Sequence, residues 1–107
     1  MAWGSSESNI IYSQPIDAVF DAVVLAAQSL KYNVKLADRA SHTVTINIGM
    51  SMFTWGEVMT VSLFTINDGR TSVIFSCKSK LGTEIAANSK NKKNISKLTE
   101  AMQNFLK

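Results

Sequence analysis

Few side chains in this chain carry chemistry. One cysteine, Cys77, and one histidine, His42, share 107 residues with eight carboxylates and eleven basic side chains. A single thiol forbids an internal disulfide. Cys77 and His42 lie on different predicted strands, at a spacing that matches no metal motif, and no metal site is expected. There is no Gly-rich phosphate loop, no Ser/His/Asp or Cys/His set and no His-x-x-x-His pair. Glu57 is the only acid on the two strands of the central hairpin, and register puts it near Lys78 and Lys80. A cross-strand ion pair there is worth under ~1 kcal/mol at a surface. A catalytic Glu needs a neighbour that tunes it, and only lysines are on offer. The sequence therefore assigns no catalytic residue and no cofactor. It leads to the expectation of a binding or interaction module and not an enzyme.

Two other groups of residues are candidates for contact. The net charge is +3, but residues 1–77 hold four basic and six acidic side chains, while residues 78–107 hold seven lysines and two glutamates. Lys78, Lys80, Lys90, Lys92 and Lys93 form a candidate anion-binding set. A lysine cluster is more often a solvated helix face, and aromatic side chains for base stacking are scarce beside these. Nucleic acid is thus disfavoured as a partner. Met50, Met52 and Phe53 crowd large apolar side chains into a segment that breaks a strand pattern. Methionine adapts to irregular surfaces, so these three are the candidate contact for an apolar ligand or a protein partner. The alternative is that they fold back onto the core.

The elements that position these residues can be read in turn. Two β-rich runs flank Asn67-Asp68-Gly69, a hairpin signal. A three-residue loop with Gly69 in the left-handed region places Leu63 opposite Val73, Val61 opposite Phe75 and Met59 opposite Cys77, all on one apolar face. A two-residue loop would turn one strand's apolar set over, so the three-residue loop is expected. Val58, Thr60, Ser62 and Phe64 then share the other face with Lys78, Ser76, Ile74 and Ser72. Upstream, Asn9 to Ser13 is a short strand, with residues 1–8 a flexible segment and 9–107 a single domain. Ser13-Gln14-Pro15 opens a helix with a hydroxyl cap. Ile16, Val19, Phe20, Val23, Ala27 and Leu30 recur at helical spacing and face the sheet. Tyr32, Val34 and Leu36 point one way on the next strand. Val44, Ile46 and Ile48 do so on the one after. A last helix runs from about Asn88 or Ser89 to Leu106, burying Ile95, Leu98, Met102, Phe105 and Leu106.

The order strand, helix, four strands, helix predicts an α+β fold. It is a two-layer antiparallel sheet, β-α-β-β-β-β-α, with both helices on one face. Apolar residues make up 46% and charged residues 18%, as in a folded globular chain. No apolar run reaches the ~20 residues of a membrane span. The first residues lack the basic and apolar regions of a signal peptide, from which a cytoplasmic location is expected unless an export signal has been removed.

Trp55-Gly56-Glu57, the hairpin after it, and Lys90-Asn91-Lys92-Lys93-Asn94-Ile95 resemble a family of small bacterial domains without an assigned activity. That family shows Trp-Gly-Glu before the hairpin and Gly-Lys-Asn-x-x-Asn-Ile in the last helix; Ser89 stands here in place of the Gly. The element order is also similar to the TATA-binding-protein-like architecture shared by the lipid-binding birch-pollen-allergen and START domains. The resemblance implies a fold more than a function. On it, Trp55, Gly56, Glu57, Asn91 and Asn94 are expected to form one structural junction between the hairpin and the last helix. Three functions from different classes follow: an interaction module of unknown partner, an apolar-ligand binding domain, and an anion-binding surface.

Overall fold

The computed structural model describes residues 5–49, 57–67, 69–79 and 87–106, with side chains at 7–49, 57–67, 69–78 and 92–106. The elements are β1 (Ser5–Tyr12), α1 (Ile16–Ser29), β2 (Asn33–Asp38), β3 (Thr43–Ile48), β4 (Glu57–Thr65), β5 (Thr71–Ser79) and α2 (Ala87–Met102). They form one antiparallel sheet of order β1-β5-β4-β3-β2, with the helices over one face. This is the expected α+β fold.

The hairpin adopts the three-residue loop. Leu63 pairs with Val73, Val61 with Phe75 and Met59 with Cys77, and all six are buried. Gly69 takes φ +79°, where a residue without Cβ sits at little cost. The Arg70 N–H donates to the Asn67 carbonyl at 2.9 Å and closes the turn. On the far side, β1 pairs with β5 from Ser5↔Lys78 to Tyr12↔Thr71. The strand thus starts at Ser5, ahead of the expected Asn9. Strand pairing uses backbone groups, and β5 is long enough to offer partners to the serines, which carry no apolar signal.

The inner face carries Val44, Ile46 and Ile48 from β3, Met59, Val61 and Leu63 from β4, and Val73, Phe75 and Cys77 from β5. Helix α1 covers it with Val19, Phe20, Val23, Ala26 and Ala27, and α2 with Ile95, Leu98, Ala101 and Met102. Three details depart from the sequence pattern. The register of β2 shifts between Val34, opposite Ile46, and Leu36, opposite Thr45. A bulge at Lys35 therefore turns Leu36 to the outer face, where it is 54% exposed, and gives the inward position to Ala37. Helix α2 tightens after Met102 into bonds from Gln103 to Glu100, Asn104 to Ala101 and Phe105 to Met102. That rotates Phe105 outward to 40% exposure and leaves Ala101 and Leu106 buried. The hydroxyl cap of α1 is absent as well. Pro15 is the capping residue, extended at φ −68° and ψ 158°, and no side chain caps the helix.

The ends of α1 are held by other means. Its entry is tied to the hairpin: the buried Thr71 hydroxyl donates to the Gln14 carbonyl at 2.8 Å. Its exit is a Schellman turn, in which Tyr32 N–H reaches the Ala27 carbonyl at 2.9 Å and Lys31 N–H the Gln28 carbonyl at 3.0 Å. Lys31 takes the left-handed position at φ +62°, where glycine is usual. Beside α1, Arg39 lies 4.5 Å over the Phe20 ring, bonds Asp21 at 2.6 Å and forms a looser ion pair with Asp17 at 3.6 Å. The two acids of the first turns thus also anchor the β2–β3 turn. No helix among the described residues is long and apolar enough to cross a membrane.

Two stability effects follow. Lys31→Gly relieves the left-handed backbone at an exposed site, and urea denaturation is expected to show a gain of about 0.5–1 kcal/mol. Thr71→Val keeps the shape but leaves the Gln14 carbonyl without its donor. The same measurement is expected to show a loss of about 1–3 kcal/mol.

Candidate functional site

Strand parity decides where Glu57 points. It begins β4 opposite Ile48 of β3 and Ser79 of β5. Residues directly opposite in an antiparallel pair share a face, and Ile48 is buried on the inner one. Glu57 therefore brings a half-buried carboxylate to the apolar side of the sheet. Lys78, by contrast, pairs with Val58 on the outer face and is exposed. The cross-strand ion pair expected between Glu57 and Lys78 is thus corrected: the two side chains leave opposite faces. Lys80 lies outside the described residues.

Helix α2 supplies the partner instead. Asn94 precedes the fully buried Leu98 by one turn and is itself only 9% exposed. Its Nδ2 donates to Glu57 Oε1 at 3.0 Å and lies 3.9 Å from the Cys77 sulfur. Tyr32 is partly buried against the same core. Burial pushes its hydroxyl pKa up, and the nearby Cys77 and Glu57 add to the rise. Burial likewise pushes the Cys77 thiol up to about 11; the Asn94 bond works against this and the Glu57 charge adds to it. At neutral pH both groups hold their protons. The wall carries one carboxylate, one amide, one thiol and one phenol, drawn from four parts of the fold. Such a set can donate and accept hydrogen bonds inside an apolar layer. A protonated thiol is a poor nucleophile.

The same end of the sheet has a polar outer recess of about 390 Å³, lined by Lys31, Asn33, Asn47 and Gly49. Gly49 turns the chain out of β3 at φ +68°. A Cβ built there would stand 3.9 Å from Glu57 Oε1, which places the recess and the carboxylate side by side. Elsewhere, an apolar recess of about 420 Å³ between α1 and β2 is lined by Phe20, Asp21, Val24, Leu25, Ala37 and Arg39. His42 lies edge-on to Phe20 at 6.4 Å. Among the described residues no three His, Cys, Asp or Glu side chains come together as metal ligands do.

The sequence-predicted residues divide accordingly. Glu57 and Asn94 meet. Trp55 and Gly56, the other half of the expected junction, lie outside the described residues, as does the side chain of Asn91. Met50, Met52 and Phe53 lie outside them too. Of the lysine set, Lys92 and Lys93 are exposed on α2, in the helix layer, whereas Lys78 leaves the outer face of the sheet. The structure does not bring these three to one surface, and the side chain of Lys90 is not among those described. Sequence reasoning missed Cys77 and Tyr32 as neighbours of Glu57. For Cys77 the signal was available: Met59 pairs with it on the inner face, and Glu57 is two residues from Met59 on the same side.

No protein-family model matches the chain, and no curated protein matches its sequence. Solved structures do match its fold. A protein from Nitrosospira multiformis is 13% identical with a TM-score of 0.70, over 94% of this chain and 95% of that one. Ara h 8.0201 is 13% identical with a TM-score of 0.57, over 94% and 95%. The Zhui aromatase/cyclase from Streptomyces sp. R1128 is 12% identical with a TM-score of 0.53, over 92% and 93%. These identities show a shared fold alone. They also correct the expectation of a non-enzyme: this architecture occurs in an aromatase/cyclase, so it does not exclude catalysis. The chain shares the small α+β architecture of these structures.

Proposed function

We propose that this domain binds a small apolar molecule between α2 and the inner face of the sheet, at the end where Glu57 and Asn94 stand. The observation that carries the reading is the polar set itself. Ligand sites are mostly apolar walls with a few convergent polar groups that fix orientation. Glu57, Asn94, Cys77 and Tyr32 form such a group within a layer otherwise built from apolar side chains. Burying a carboxylate and an amide costs stability, and apolar residues of similar size would pack the layer more cheaply.

The position along the layer follows from packing. The middle is filled by Val61, Phe75, Val23 and Met102, which are buried almost completely. A ligand therefore sits beyond them, past Met59 and Leu98. Methionine and leucine yield more readily than β-branched residues, and Met59 can adapt its thioether to a guest. The birch-pollen-allergen resemblance supports the same class of ligand. So does a fold shared with an aromatase/cyclase.

Titration with the neutral dye Nile red tests the reading. Saturable uptake with a dissociation constant in the micromolar range is expected. Asn94→Ala, which frees Glu57 and loosens the wall, is expected to weaken uptake several-fold while the circular dichroism spectrum stays folded. Fluorescence that rises linearly with dye, with no saturation, would end it.

A further inference from the structure

We propose that the site prefers a ligand with a cationic, hydrogen-bond-donating head, an alkyl- or arylammonium, over one with a carboxylate head. This rests on the apolar-ligand reading above and adds the chemistry of the ligand's polar end. Glu57 is the only charged side chain that parity directs onto the described inner face of β4 and β5. Asn94 occupies one of its oxygens, Oε1. Among the described residues, no hydrogen bond or ion pair engages the other oxygen, Oε2, and the ion pairs that do form are those of Arg39 with Asp17 and Asp21. Of the lysines of known direction, Lys78 is on the outer face, Lys92 and Lys93 face solvent, and Lys31, which lines the adjoining outer recess, makes no ion pair with Glu57 among the described residues.

The other polar groups of the wall bring no opposing charge. The Cys77 thiol and the Tyr32 hydroxyl keep their protons at neutral pH and add no charge. Among the described residues the wall therefore presents one negative charge and one open acceptor. A second carboxylate brought beside Glu57 meets like-charge repulsion in a layer where water screens little. An ammonium supplies the missing counter-charge and up to three donors. A neutral hydroxyl supplies a donor without charge and ranks between them. A fatty acid, the usual probe for an apolar cavity, is the ligand this wall is least suited to take.

Three ligands that share one chain and differ only in the head test this: dodecylammonium, dodecanol and dodecanoate. Each displaces Nile red from the wild-type protein at pH 7, below its aggregation threshold. Dodecylammonium is expected to bind at least about tenfold more tightly than dodecanoate, a gap of about 1.4 kcal/mol, with dodecanol between. Glu57→Gln is expected to close most of that gap. Because the ranking is read on the wild-type chain, a variant that fails to fold does not remove the test. Equal affinity for the three heads, or tighter dodecanoate, overturns the head-group proposal and leaves apolar binding standing. Failure of all three to bind, together with no saturable Nile red uptake, overturns both.

Discussion

Gly69 holds a left-handed backbone at the tip of the hairpin, and the turn it closes sets the register of β4 against β5. Those are the two central strands with the longest ladder, from Glu57↔Ser79 to Thr65↔Thr71. Side chains alternate across a strand, so this one turn determines which residues of β4 and β5 meet the helices. β1 is then paired to β5 and β3 to β4, and each inherits the same parity. With β4 kept in place, a slip of one residue would bury Ser76 and Lys78 and expose Val73 and Phe75. The apolar stripes of α1 and α2 fit only one of these two arrangements. The same parity also turns Glu57 inward. The candidate site is thus a consequence of the register that builds the core, and Asn94 is the residue on α2 that makes an inward carboxylate tolerable.

Much of this was legible because alternation is strict where one face is wet and the other dry. Met59, Val61 and Leu63 against Val73, Phe75 and Cys77 leave one consistent pairing, and the Asn-Asp-Gly turn agrees with it. The stripe of α1 was equally plain at Val19, Phe20, Val23 and Ala27. What was not legible lies where local signals are silent. Tyr32 to Leu36 alternates without a break, and nothing in those residue types marks the bulge at Lys35. The usual sign of a helix end is glycine, but Lys31 stands in the left-handed position. The serines of β1 have little strand propensity, and only a partner strand recruits them. Phe105 looked like core because the stripe was extended at 3.6 residues per turn, while the helix tightens before reaching it.

The candidate site was half legible for a related reason. A short motif joins Glu57 to Asn94 across the hairpin, and register alone places Glu57 inward. What sequence spacing cannot show is which side chain of α2 descends onto that position, because helix rotation against a sheet is set by the whole buried stripe. Here Ile95, Leu98 and Met102 fix the rotation, and Asn94, next to Ile95 and one turn before Leu98, is carried inward with them. Tyr32 arrives by a third route. It is the residue that the Schellman turn at Lys31 returns towards the core.

The two layers thus place unlike chemistry on the two sides of the sheet. The outer face exposes Leu36, Phe64 and Ile11 singly among serines and threonines, and it carries Lys78. Among the described residues of β3, β4 and β5, the inner face is mostly apolar and carries its charge at the Glu57 end. Electrostatics act most strongly where water is least able to screen. A single carboxylate at the end of a dry layer therefore sets the sign of that end more firmly than several solvated lysines set the sign of the surface. The formal charge of +3 describes how the molecule meets bulk ions at a distance. The local charge at Glu57 has the opposite sign.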